Sequence, residues 1–217
     1  MQRIVINVIL LVGLFFSLMV MASATTNWRL PDNQQGYAPV QPIEYSHRLH
    51  AGELGISCRF CHSAAEHGRH AGIPSTDVCM KCHKFVTSSF DVLQQEITLA
   101  DKEKRKPKQI ISPELKELYD SLGIEDPQQP PPHAKARSIP WVRVHDLPDY
   151  ACFDHRAHLA AGVSCQKCHG PVESMERMRQ FATLSMGWCV NCHREATNDG
   201  INGNSVHAST DCAACHH

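Results

Sequence analysis

The chain has 217 residues, and its 21 Lys and Arg stand against 22 Asp and Glu for a formal charge of -1, so it has no cationic excess with which to hold a nucleic acid. Aromatics make up only 6%, and 12 Gly and 13 Pro are scattered throughout, so an ordinary side-chain core is thin for this length. The unusual content is 11 Cys and 15 His.

In chain order, Ile4 to Met21 is an uncharged apolar run preceded by Arg3. It is about the length that spans a bilayer and longer than a usual signal core, although Ala22-Ser23-Ala24 fits a cleavage site. We read residues 1–26 as an uncleaved membrane anchor, with a cleaved leader as the alternative. Residues 27–86 contain His47-x-x-His50, then seven residues to Cys58-x-x-Cys61-His62, then Cys79-x-x-Cys82-His83. Residues 87–140 change character. DKEKRKPK reads as a solvated surface run that could also dock a partner, Ser112-Pro113-Glu114 as the start of a short helix to about Leu122, and QQPPPH as polyproline. This stretch is expected to be a linker.

Residues 141–217 repeat the first pattern. His155-x-x-His158 is followed after six residues by Cys165-x-x-Cys168-His169 and then by Cys189-x-x-Cys192-His193, which points to an internal duplication. A fifth motif, Cys212-x-x-Cys215-His216, closes the chain. Cys-x-x-Cys-His is the attachment signal for c-type haem: the two thiols add to the porphyrin vinyl groups and the adjacent imidazole binds the iron. Zinc accepts Cys-x-x-Cys as well, but it does not require a His directly after the second Cys. Ten of the 11 cysteines fall into five such motifs with the His in register, so five covalently attached haem c groups are expected.

Covalent haem attachment takes place outside the bacterial cytoplasmic membrane. The N-terminus is therefore expected in the cytoplasm and the haem-bearing part on the periplasmic side. The expected fold is mostly irregular with short α-helices, a haem-templated multihaem cytochrome c (class III-like) with one N-terminal transmembrane helix.

The proximal ligands are then His62, His83, His169, His193 and His216. His47, His50, His155 and His158 are expected as distal ligands, because the His-x-x-His pair recurs ahead of the haem motifs. His145 is the leading candidate for the fifth, with Met175, Met178 and Met186 as alternatives; His67, His70, His133, His207 and His217 are reserves read as surface residues. With every iron saturated, no catalytic residue is expected. Cys152, beside Tyr150 and Phe153, reads as a small buried apolar residue.

Taken together, HAGELGISCRFCH, VCMKCH, WVRVHDLPDY, FDHRAH with GVSCQKCHG, LSMGWCVNCHR and DCAACHH resemble the pentahaem cytochrome c subunit of alternative complex III, a bacterial quinol:electron-acceptor oxidoreductase. The resemblance covers roughly Pro42 to His216 and lies in the combination of motifs; Cys152 departs from it where a bulkier residue is expected. It implies an iron–sulfur subunit, polysulfide-reductase-like membrane subunits and a monohaem cytochrome c or other soluble carrier as partners. Two other readings stay open: a self-contained membrane-anchored quinol dehydrogenase, and a multihaem reductase of a small oxyanion, which needs an iron with a vacant position.

Overall fold

The computed structural model describes residues 2–27, 34–128 and 136–216. His133 and His217 lie outside these residues, as does most of the polyproline stretch. Among the described residues the chain is helical and irregular, with no strand beyond one isolated bridge between Ile201 and Asn204. The helices are α1 (Gln2–Asn27), α2 (Cys58–Cys61), α3 (Thr76–His83), α4 (Phe90–Lys102), α5 (Pro113–Leu122), α6 (His155–Ala160), α7 (Cys165–His169), α8 (Met186–Asp199) and α9 (Cys212–Cys215).

Within α1, Arg3–Ala22 is a 20-residue stretch long and apolar enough to cross a membrane, and none of it is buried against the rest of the chain. At 1.5 Å per residue it reaches about 30 Å, the thickness of a bilayer's hydrocarbon layer.

Every attachment motif lies on a helix whose N-cap residue, one or four positions ahead of the first Cys, is a capping type. Ser57, Ser75, Ser164, Ser185 and Asp211 occupy the N-cap positions of α2, α3, α7, α8 and α9. Asp211 accepts from the Ala213 amide at 3.1 Å and Ser185 from that of Trp188 at 3.3 Å, which satisfies donors that a helix start leaves open. One turn suffices for the motif, because residues three apart on a helix share a face and so present both thiols together. Gly170 then ends α7 at φ 72°, a conformation that favours glycine, and a Cβ there would collide with the ring of Phe181.

The two repeats are packed reciprocally. A π-helical segment Arg48–Glu53, carrying His50, lies on the 3-10 turn Val172–Ser174 just after α7. In turn α6, carrying His155 and His158, lies on the 3-10 turn Ser63–Glu66 just after α2. Backbone bonds join each contact: Arg48 N donates to Met175 O at 2.9 Å and His155 N to Arg69 O at 3.2 Å. Gly52 is required here, because any Cβ would strike the carbonyl of Glu173.

Among the described residues only nine hydrophobic side chains are buried, as expected of a chain that does not build its own interior. Four of them, Leu118, Tyr119, Leu122 and Ile124, form one cluster from α5 and its exit, against Cys79 and Met80 of α3. The Tyr119 hydroxyl donates to the carbonyl of His83 at 2.7 Å. The segment between the repeats therefore braces the second attachment site as well as connecting the two halves. Its start, Pro113 after the N-cap Ser112, is where the sequence puts it, and Gly123 ends it in the left-handed conformation.

The charged run is partly structured as well. Arg105 folds back onto α4 and bonds Glu96 through both terminal nitrogens, which with the Lys108 amide holds the Glu96 carboxyl down at about 2.

Because Leu118 is 3% exposed, Leu118→Ala should cost about 2–5 kcal/mol. Thermal unfolding of the intact protein checks this, and a transition monitored near the Cys79/Cys82 motif should fall with it.

Candidate haem-binding sites

None of the ten motif cysteines is paired in a disulfide, and each is half-exposed or exposed, as a covalent addition requires. Burial is the main cause that raises the thiol of Cys168, to about 11, with the thiols of Cys192 and Cys189 next. The same kinds of cause order the other sites. Cys61 is raised by burial and then by Cys82 and Cys58, and Cys79 by burial and then by Cys61. Cys165 is raised by burial and then by Cys58, and Cys189 by burial and then by Cys215. Neighbouring thiols thus trace one row: Cys79/Cys82, Cys58/Cys61, Cys165/Cys168, Cys189/Cys192, Cys212/Cys215. The first two sites in sequence are reversed in this row.

A histidine that binds metal through Nε2 usually fixes its other nitrogen by donating Nδ1–H to a carbonyl, which sets the tautomer and leaves the Nε2 lone pair free. Four of the five proximal rings do so. His62 donates to Gly72 O at 2.6 Å, His83 to Val86 O at 2.8 Å, His193 to Ser209 O at 2.5 Å and His216 to Tyr150 O at 3.0 Å. Three of the expected distal rings do the same. His50 donates to Ser46 O at 2.9 Å, His158 to Asp154 O at 2.8 Å and His155 to Arg69 O at 2.7 Å. In two of these the acceptor is four residues back on the same turn, so the repeat preserves the orienting bond as well as the residue. His47 differs from its three companions: its Nδ1 is buried with no partner.

The rings also face one another in pairs. His50 and His83 have centroids 6.0 Å apart, His158 and His193 6.0 Å, and His155 and His169 6.4 Å with planes only 8° apart. A metal–imidazole bond is about 2 Å and the nitrogen lies about 1 Å from its ring centre, so two rings on opposite sides of one metal stand about 6 Å apart. These spacings fit an iron between each pair. Burial, and after it His62 and His50, lower the His47 ring to about 4. Burial likewise lowers His83, and takes His169 to about 4. An imidazole must be neutral to bind a metal, so burial readies these rings as ligands. Tyr45 packs edge-on to His47 and stacks on His50, and Phe153 repeats both contacts with His155 and His158. In the sequence each of these aromatics is the residue two positions ahead of the first His of its repeat.

The remaining expectations are placed as follows. His145 was expected beside the fifth site; the structure instead sets its Nε2 at 3.1 Å from Nδ1 of His169, with ring centroids 4.5 Å apart. The ring that accompanies His216 is Tyr150, at 5.8 Å. Met175 is buried beneath the Arg48–Glu53 segment, Met178 is half-buried and Met186 is exposed. His67, His70 and His207 are exposed, in keeping with the surface reading. Cys152 is half-buried, and its amide donates to Cys215 O at 2.7 Å, which ties the start of the second repeat to the last motif. Sequence reasoning missed the backbone acceptors Arg69, Gly72 and Ser209 and the brace from Tyr119; carbonyl partners leave no signature in residue type.

Residues 151–217 match the family model for cytochrome c7 and related cytochrome c. The chain is also similar to a protein of Nitratidesulfovibrio vulgaris named "Menaquinone reductase, multiheme cytochrome c subunit", at 25% identity over 222 residues, covering 93% of this chain and 88% of that protein. The chain is thus similar to cytochromes c over residues 151–217 and to a multihaem cytochrome c subunit over most of its length, and its motifs and paired imidazoles fit covalently bound haem c.

Proposed function

We propose that this chain is the pentahaem electron relay of a membrane complex of the alternative complex III kind, taking electrons from a quinol-oxidising partner and delivering them to a soluble carrier or terminal oxidase. The observation that carries this reading is the set of imidazole pairs about 6 Å apart along a single row of attachment sites. Each haem, when bound, holds or releases one electron by cycling its iron between ferrous and ferric. The protein's part is to fix the sites and set their potentials. The cysteine pairs anchor each group, and Nδ1 bonds aim the Nε2 lone pairs. Where two rings face one another, as His50 and His83, His155 and His169, and His158 and His193 do, they would hold an iron from both sides and leave it no place for substrate.

Helix α1 supports a single membrane span, and the attachment of haem outside the cytoplasmic membrane would put the motif-bearing part on the periplasmic side. The likeness to a protein named as a reductase subunit favours a multisubunit complex over a self-contained quinol dehydrogenase. An iron–sulfur subunit, polysulfide-reductase-like membrane subunits and a monohaem cytochrome c are the proposed companions.

The test is to purify the native membrane assembly by a tag on this chain, identify what accompanies it, and compare quinol oxidation by the assembly and by the isolated chain. The relay reading expects membrane partners and activity only in the assembly. Quinol oxidation by the isolated chain at the assembly's rate would contradict it.

A further inference from the structure

Four proximal histidines donate Nδ1–H to backbone carbonyls, whereas Nδ1 of His169 is hydrogen-bonded to another side chain, with Nε2 of His145 at 3.1 Å. This difference rests on placement that the surrounding residues enforce. Gln180, fully buried, accepts the Asp146 amide on its Oε1 at 3.0 Å and donates from Nε2 to Ala182 O at 3.2 Å. Arg143 Nε donates to the carbonyl of His145 at 2.9 Å. The His145 ring stands nearly perpendicular to that of His169, at 82°.

We infer that His145 is a positioning residue for the third haem site, lowering that haem's reduction potential through His169, and that it is not the distal ligand of the fifth. The inference rests on the haem reading proposed above. If His169 binds iron through Nε2, its proton is on Nδ1, and His145 Nε2 must accept it. The proton of His145 is then on its own Nδ1, and the ring has no free lone pair for a second iron. An imidazole nitrogen is a far stronger base than an amide oxygen, so it draws the His169 proton more strongly than the carbonyls draw theirs. The more basic ligand that results favours ferric iron. The Cys165/Cys168 site is the middle of the row, so this bond sets the potential where the two halves meet.

The experiment is a redox titration, followed optically and by electron paramagnetic resonance, of the full haem-loaded chain with His145→Ala and with His145→Gln, whose amide oxygen resembles the carbonyl acceptors. Both variants should keep every haem of the unmodified protein and gain no carbon monoxide binding. One midpoint should rise, His145→Ala shifting that haem's oxidised-to-reduced ratio by about tenfold, or about 59 mV for one electron, and His145→Gln by less. A new carbon monoxide-binding haem would make His145 a distal ligand and overturn the inference; unchanged midpoints would reduce it to packing and also overturn it. Absence of haem from Cys165 and Cys168 in the unmodified protein would instead overturn the haem reading beneath it.

Discussion

His158→Ala should open one iron. In the reduced protein one more haem than in the unmodified chain is expected to bind carbon monoxide stoichiometrically, with one low-spin signal lost. His158 faces His193 across 6.0 Å, and its Nδ1 is committed to Asp154 O, which leaves Nε2 as the only nitrogen aimed between the rings. His50→Ala should do the same at the site of His83, because its ring spacing and its orienting bond to Ser46 O have the same form. The change at the affected iron is all or none, from a filled axial position to a vacant one. If both variants leave carbon monoxide binding unaltered, the His-x-x-His pairs are not axial ligands, and the duplication would need another explanation.

The double variant Cys165→Ala with Cys168→Ala should lose one haem and keep the others, since each motif sits on its own helical turn. Its effect on conduction should be far larger than one part in five. Cys58 influences the Cys165 thiol on one side, and Cys192 and Cys189 influence that of Cys168 on the other, so the lost site joins two halves of the row. Electron entry at one end should continue to reduce that half, while reduction of the far half should collapse in rapid-mixing kinetics. A corresponding loss at the terminal site, Cys212→Ala with Cys215→Ala, should leave the other sites in communication. Equal kinetics for the two double variants would contradict the row.

How much of this could be read in the sequence follows from where the chemistry resides. The attachment motifs and the His-x-x-His pairs were legible residue by residue because one helical turn is enough to present them, and spacing along the chain is then spacing in the molecule. Helix α5 was legible for the same local reason, from Ser112-Pro113-Glu114. Helix α4 lies inside a stretch whose composition reads as a linker, although Ser89 at its N-cap and Leu93, Ile97 and Ala100 at helical spacing carry the signal. The reciprocal packing of the repeats was not legible: it depends on Gly52 meeting Glu173 and on α6 meeting Ser63–Glu66, contacts between residues about a hundred positions apart. His145 shows the limit most plainly. From sequence it was a spare histidine near a haem motif, and only the buried Gln180, holding the adjacent Asp146 amide, turns it toward His169.

The account stands on the number of haems that the chain carries covalently. Mass spectrometry of the denatured native protein measures it directly, because denaturation removes any group held only by axial ligands. The expected mass is that of the polypeptide plus five haems, with no free thiol left in the five motifs. A mass corresponding to three haems or fewer, or to the bare chain with zinc, would contradict the relay.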